Sequence, residues 1–231
     1  MSREKIYIVH GWTYSLSKWD KLIAVLEQQG FEPVMLKVPG LSLPSDRVWD
    51  IPGYVQWLDG ELANAEHPII VGHSNGGRIA MAFDVAHPGK ISKLILVASA
   101  GVYHESVRLS SKRRLFKLVA TLLKPLFGTP LRKLAYRLIG ASDYGNASPN
   151  MRETMRNVIN FDKDFDLQKV TAPTTFIWGE NDTATPLEDA SIMQHQLPNA
   201  TGLHVIHGAG HSPHDDDPHR VSEIIESVVR K

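Results

Sequence analysis

The sequence has no cysteine, no excess charge of either sign and no long apolar run. Its 231 residues without cysteine exclude disulfides, thiol catalysis and thiolate metal sites. The 25 Lys and Arg residues balance the 25 Asp and Glu residues, so no overall field attracts nucleic acid or anionic membranes. No run approaches the roughly 20 apolar residues of a membrane helix, and Ile6–Val9 is too short for a signal-peptide core. We therefore expect a cytoplasmic protein that binds no nucleic acid.

Short apolar runs rich in β-branched residues alternate with stretches of helical period, which predicts βαβ units in an α/β fold. At 42% hydrophobic residues, the chain has enough apolar side chains for one sizeable core and a single domain. The predicted strands are Lys5–Val9, Pro33–Val38, Pro68–Gly72, Lys93–Ala98, Thr174–Gly179 and Leu203–Ile206. The predicted helices are Ser17–Gln29, Pro52–Asn64, Asn75–Ala86, Leu187–Gln196 and Pro218–Arg230.

Residues 101–166 interrupt this alternation, because they carry no strand signal and only two or three helix-like stretches. Within them, Ser111–Phe127 gathers apolar residues on one helical face, and Tyr103–Gly140 holds nine Lys or Arg residues and one acidic residue. The pattern favours a helical cap, or lid, with its apolar face over a cleft. Contact with a membrane surface or with a partner protein would use the same residues.

A candidate nucleophile, Ser74, follows the third predicted strand in the motif Gly-His-Ser-Asn-Gly-Gly. A serine on a tight strand-to-helix turn exposes its hydroxyl, and Gly72 and Gly76 let strand and helix approach closely. An ordinary glycine-rich turn is the alternative. The strand before the motif and the helix after it favour a nucleophile elbow.

A serine nucleophile needs a base and a carboxylate, and both follow later predicted strands. Asp182 lies in a turn after the fifth strand, and His211 lies in a glycine-rich loop after the sixth. Their order along the chain is that of an α/β-hydrolase triad. Glu180 and Asp189 are nearby rivals for the carboxylate. His207, His211 and His214 could suggest a metal site, but the glycines between them predict a loop rather than an aligned helix, so we expect no metal.

An oxyanion hole requires two backbone N–H groups near the nucleophile. The first is that of Asn75, directly after Ser74. The first predicted strand ends in His-Gly-Trp, a turn that would bring the N–H of Trp12 to the same place. His10 is expected to orient this loop rather than to act as a base.

The motifs HGW, GHSNGG, WGENDTATP and GAGH together resemble the α/β-hydrolase superfamily over nearly the whole chain. The segment Ser142–Ser148, with Met151 and Arg152, resembles the cap of uncharacterised bacterial members. The resemblance implies a sheet of about six mainly parallel strands in the order 2-1-3-4-5-6, with the active site at their carboxyl ends under a helical cap. One departure is that only four residues precede the first strand, so we expect the usual N-terminal β-hairpin to be missing.

These residues predict a serine hydrolase that cleaves carboxylic esters of small to medium hydrophobic acyl or aryl groups and needs no cofactor. Carbon–carbon bond hydrolysis, acyl transfer and a non-hydrolytic small-molecule receptor use the same fold and remain alternatives. A membrane-associated lipase is a further one, although we expect no membrane contact. The expected partner is a small ester substrate, and the expected assembly is a monomer or a homodimer.

Overall fold

The computed structural model describes residues 3–104 and 148–231. Its centre is a six-stranded sheet in which every neighbouring pair of strands is parallel, in the order β2-β1-β3-β4-β5-β6. Both the α/β fold and the strand order predicted from the sequence are therefore confirmed. The strands are β1 Lys5–Val9, β2 Glu32–Leu36, β3 Ile69–His73, β4 Lys93–Val97, β5 Thr174–Gly179 and β6 Ala200–Ile206.

Helices cover both faces of the sheet. Because successive residues of each strand point to opposite sides, each strand contributes side chains to the core on both faces. Seven α-helices lie within the described residues: α1 Asp20–Gln28, α2 Ile51–Glu61, α3 Asn75–Ala86, α4 Pro149–Phe161, α5 Leu187–Gln196, α6 Pro213–Asp216 and α7 Pro218–Val229. In β1, Ile6 and Ile8 join the core beneath α1 and α7, whereas Val9 joins the core shared with α2, α3, α4 and α5. This two-sided burial explains why the central strands read as nearly continuous apolar runs.

Some boundaries differ from the sequence-based prediction. The strand β2 ends at Leu36 rather than Val38, because the N–H of Val38 has left the ladder and donates to Nε2 of His10. The edge strand β6 begins at Ala200, three residues before the predicted start, since its half-exposed first residues carry little apolar signal. The first predicted helix is divided into a 3₁₀ turn at Ser17–Trp19 and α1.

The helix α4 lies inside the interval predicted as an insertion and packs on the loop that follows β2. Asn150 and Asn157 donate from their side-chain amides to the carbonyls of Ser45 and Trp49, at 3.1 and 3.2 Å. The Trp49 N–H donates to the Thr154 hydroxyl at 2.9 Å. Hydrogen bonds along one face of α4 therefore attach it to the body of the fold.

The predicted amphipathic helix at Ser111–Phe127 lies outside the described residues, as does most of the Ser142–Ser148 segment, so the cap as a whole stays a prediction. Among the helices of residues 3–104 and 148–231, none combines the length and the apolar character needed to cross a membrane.

Candidate active site

Ser74 occupies a strained turn between β3 and α3. Its backbone has φ +50° and ψ −119°, a combination that residues with a side chain rarely adopt. The turn is held from β4, because the Ser74 N–H donates to the Val97 carbonyl at 3.1 Å and the Ser74 carbonyl accepts from the Ala100 N–H at 3.0 Å. These hydrogen bonds fix the turn, and a turn of this kind holds a serine hydroxyl clear of the surrounding backbone.

Glycines around Ser74 allow this turn to pack against the sheet. A Cβ on Gly76 would lie 2.0 Å from the Val9 carbonyl oxygen, and one on Gly77 would lie 2.1 Å from the Ser99 hydroxyl. A Cβ on Gly72 would lie 2.6 Å from the Cα of Gly77. The sequence predicts this role for Gly72 and Gly76, and the structure adds Gly77.

Ser74, His211 and Asp182 form one continuous chain of hydrogen bonds. The Ser74 Oγ lies 3.0 Å from Nε2 of His211, and Nδ1 of the same ring lies 2.8 Å from Oδ2 of Asp182. The three residues come from the loops after β3, β6 and β5, so they meet at the carboxyl edge of the sheet. This arrangement can remove a proton from the hydroxyl while the carboxylate stabilises the imidazolium that forms.

The two rival carboxylates point elsewhere. Glu180 accepts from the Gly208 N–H at 2.9 Å and lies 3.6 Å from Nδ1 of the exposed His207. The buried Asp189 lies 2.8 Å from Nε2 of His104. Of the three acidic residues considered, Asp182 is the one that contacts His211.

Asp182 is buried and supported by donors on both carboxylate oxygens. The N–H groups of Ala184 and Thr185 donate to Oδ1 at 2.8 and 3.1 Å, and the Thr185 hydroxyl lies 2.9 Å from Oδ2. Burial alone would raise the pKa of Asp182, but the hydrogen bond and charge of His211 and these backbone donors outweigh it and lower the pKa. Asp182 is thereby kept ionised. Thr185 is not among the site residues predicted from the sequence, although a threonine three residues after an aspartate in a turn is a typical partner for it.

Two buried histidines support the loop that carries His211. The ring of His73 donates from Nε2 to the His211 carbonyl at 2.8 Å, and it meets the His214 ring in a T-shaped contact at a centroid distance of 4.6 Å. His214 in turn stacks on Trp19 at 3.9 Å. Burial, followed by the charges of the neighbouring histidines, lowers the pKa of His73 well below its ordinary value. Burial lowers the pKa of His214 to about 3. Both rings are therefore held in the neutral form near pH 7.

The His-Gly-Trp turn after β1 lies directly against Ser74. A Cβ on Gly11 would lie 2.8 Å from the Cβ of Ser74. His10 is fully buried and holds the loop: its Nδ1 donates to the Gly11 carbonyl at 2.8 Å, and its Nε2 accepts from the Val38 N–H. The hydrogen bonds of the His10 ring go to Gly11, Ser42 and Val38, which is the geometry of a loop-orienting residue.

A cavity of about 590 Å³ opens beside the hydroxyl of Ser74. It is bounded by Trp12, Trp19, Met155 and Ala184, together with His211. The first residue of α3, Asn75, has a backbone N–H with no acceptor inside the helix, because helices leave their first N–H groups free. The other amide predicted for the oxyanion hole is that of Trp12, a residue that borders the cavity, and the oxyanion hole stays a prediction.

The structure does not bring together the three histidines considered as metal ligands. His207 is exposed and faces Glu180, His211 faces Ser74, and His214 stacks on Trp19. Across residues 3–104 and 148–231, no group of three or more His, Asp or Glu side chains is placed to hold a metal ion.

The fold and this site define a member of the α/β hydrolases. The sequence model of the Alpha/beta hydrolase family matches residues 6–224, so the chain belongs to that family. A putative lipase from Acinetobacter baumannii has the same fold, with a TM-score of 0.73 and 22% identity over 99% of this chain and 84% of that one.

Curated relatives of the chain have several functions. An uncharacterised protein of Mycobacterium tuberculosis is 28% identical over 97% of this chain and 74% of its own length. A 2-hydroxy-6-oxononadienedioate/2-hydroxy-6-oxononatrienedioate hydrolase of Pseudomonas putida is 25% identical over 90% of this chain and 81% of its own. A pimeloyl-[acyl-carrier protein] methyl ester esterase of Legionella pneumophila is 22% identical over 84% of this chain and 82% of its own.

Proposed function

We propose that this protein is a serine hydrolase that cleaves carboxylic esters through an acyl-enzyme. The observation that carries the proposal is the unbroken chain of hydrogen bonds from Ser74 through His211 to the buried Asp182. The strained turn at Ser74 and the close approach of the His-Gly-Trp turn support it. The esterase among the relatives uses a substrate of this class.

In the first half of the reaction, His211 takes the proton of the Ser74 hydroxyl as its oxygen attacks the ester carbonyl. The backbone N–H groups of Trp12 and Asn75 stabilise the oxyanion of the tetrahedral intermediate, helped by the positive end of α3. His211 then gives the proton to the leaving oxygen, and the carbon–oxygen bond of the ester breaks. An alcohol departs and the acyl group stays on Ser74.

In the second half, water replaces the alcohol. His211 removes a proton from the water, which attacks the acyl carbonyl, and the proton passes to Ser74 as the acid is released. Asp182 keeps the Nδ1 proton of His211 in place throughout and stabilises the imidazolium. His73 is a positioning residue here, because its hydrogen bond to the His211 carbonyl fixes the backbone that presents the base. No residue of this scheme requires a metal or an organic cofactor.

Substrate size follows from the cavity. Its volume suits a small or medium substrate, and aromatic and other apolar side chains form much of its wall. His211 borders this cavity and must reach the leaving oxygen, so the leaving alcohol or phenol is expected to occupy it.

Hydrolysis of p-nitrophenyl esters of increasing acyl length tests the proposal. The wild type should turn over at least one ester, and Ser74→Ala should reduce kcat by roughly a million-fold, because a triad acts as a unit. Ser227→Ala is the matched control, since Ser227 is an exposed serine of α7 outside the site. Equal activity in the wild type and Ser74→Ala would show that the chemistry lies elsewhere.

A second candidate is hydrolysis of a carbon–carbon bond in a vinylogous diketone, which the same triad could catalyse. The observation that favours it is the similarity to the Pseudomonas putida hydrolase of 2-hydroxy-6-oxononadienedioate. Turnover of such dienedioates by the wild type, lost in Ser74→Ala, together with no ester turnover, would select this reaction. Tight ligand binding without turnover of either class would instead indicate a receptor.

A further inference from the structure

A buried ion pair joins the helix that follows Ser74 to the end of α4. Arg78 donates from Nε and Nη2 to the two carboxylate oxygens of Asp162, at 2.7 and 2.6 Å, and both side chains are more than nine-tenths buried. Two parallel hydrogen bonds of this kind fix the plane of the guanidinium. The positive charge of Arg78 is matched by the negative charge of Asp162, so the pair adds no net charge to its surroundings.

The same guanidinium fixes the side chain of Asn75. Its Nη1 lies 2.6 Å from Oδ1 of Asn75. Arginine donates hydrogen bonds and accepts none, so the atom facing it must be the amide oxygen. The orientation of the Asn75 carboxamide is therefore determined, and its NH₂ group points away from Arg78.

That NH₂ group is buried without an acceptor. Asn75 is 3% exposed, and its Nδ2 has no hydrogen-bond partner among the residues that the structure describes. A buried donor left unpaired loses its hydration and gains nothing in return. Leucine or methionine would remove the unpaired NH₂ group, although Nη1 of Arg78 would then lose its acceptor. An asparagine whose oxygen is held and whose donor is unpaired is suited to binding an acceptor that arrives with a ligand.

Asn75 is also adjacent to the nucleophile and outside the leaving-group cavity. It follows Ser74 directly, and it does not border the cavity shared by Ser74 and His211. If the leaving group lies with His211, the remaining part of the substrate near Asn75 is the acyl group. Because Arg78 and Asp162 balance in charge, the environment suits an uncharged acceptor rather than a carboxylate.

We propose that Asn75 is a specificity-determining residue, whose side-chain amide, oriented by Arg78 and Asp162, donates to an uncharged carbonyl or ether oxygen in the acyl group of the substrate. The proposal rests on the proposed ester hydrolysis and narrows its substrate class. It predicts that the enzyme prefers acyl groups with an oxygen within a few atoms of the scissile carbonyl over alkyl chains of equal length.

Pairs of p-nitrophenyl esters of matched length test the preference. Methoxyacetate is compared with butyrate, and 3-methoxypropionate with pentanoate, in the wild type, in Asn75→Leu and in Asn75→Asp. For each protein, kcat/KM for the oxygen-bearing ester is divided by that for its alkyl partner. The intrinsic reactivity of the esters cancels when these quotients are compared between proteins.

Asn75→Leu should lower the quotient about tenfold for at least one pair, as expected for one lost hydrogen bond. Asn75→Asp keeps an acceptor for Arg78 but has no donor when ionised, so it should lower the quotient as well. A purely structural role would slow both esters of a pair equally and leave every quotient unchanged, which would overturn the proposal. Failure of the proposed function is distinct, because the wild type would then hydrolyse no ester in a Ser74-dependent way.

Discussion

Replacing Ser74 by glycine should give a more stable protein than replacing it by alanine, although both changes remove the nucleophile. The reason is the backbone at this residue, with φ +50° and ψ −119°, where a Cβ is strained and glycine is not. Both variants lose the same hydrogen bond to His211. The difference between them therefore isolates the effect of the Cβ.

The expected size of this difference follows from two opposing effects. Holding a residue with a side chain in such a conformation costs about 1–3 kcal/mol. Glycine gains extra freedom in the unfolded chain, which offsets about 0.4–1 kcal/mol. Ser74→Gly should therefore exceed Ser74→Ala by about 1–2 kcal/mol in the free energy of unfolding, and by several degrees in Tm for a protein of this size.

Urea unfolding followed by circular dichroism measures this difference. Ser227 supplies the matched control, because it is an exposed residue of regular helix in α7. There the order should reverse, with Ser227→Gly about 1 kcal/mol less stable than Ser227→Ala, since glycine disfavours helix. If the glycine variant were less stable than the alanine variant at both positions, the backbone of Ser74 would not be strained.

Two further predictions concern stability. Gly76→Ala places a Cβ 2.0 Å from the Val9 carbonyl oxygen and should lower the free energy of unfolding by about 3 kcal/mol or more. Gly60→Ala, in open space on α2, should raise it by about 0.5–1 kcal/mol. Urea titrations in which both variants changed the stability in the same direction would contradict this. His214 has a pKa of about 3 in the folded protein and 6.5 as its ordinary value, so the unfolded chain binds its proton first and stability falls as the pH drops below about 6.5. Between pH 7 and 5.5 this loss is about 1 kcal/mol. His214→Gln should remove it from the difference between urea titrations at the two pH values, and the exposed His219→Gln should not. Equal losses in the two variants would argue against a buried neutral His214.

The sheet could be predicted from the sequence because central parallel strands are apolar on both faces. The run at Lys93–Val97 and the run at Thr174–Gly179 needed no tertiary information to be found. The start of β6 could not be found in the same way. Ala200 and Gly202 pair with β5 through their backbones, and neither residue type is enriched in strands, so they give no strand signal.

Part of the candidate site could likewise be predicted from local motifs, and part could not. Ser74, Asp182 and His211 each lie in a local motif, and the structure brings together the three residues that those motifs indicated. The ion pair of Arg78 and Asp162 joins residues 84 positions apart, and no local pattern marks either of them. Contacts of this kind depend on how the elements pack, so they become visible only in three dimensions.

The distribution of the site over the sheet affects how activity appears as the chain folds. The proposed machinery takes one loop from each of β1, β3, β5 and β6, and His211 lies only 20 residues from the end of the 231-residue sequence. A chain in which β6 has not yet docked therefore lacks its base, whatever the state of the other strands. Ester turnover during refolding should therefore appear only after β6 and the loop that carries His211 have docked.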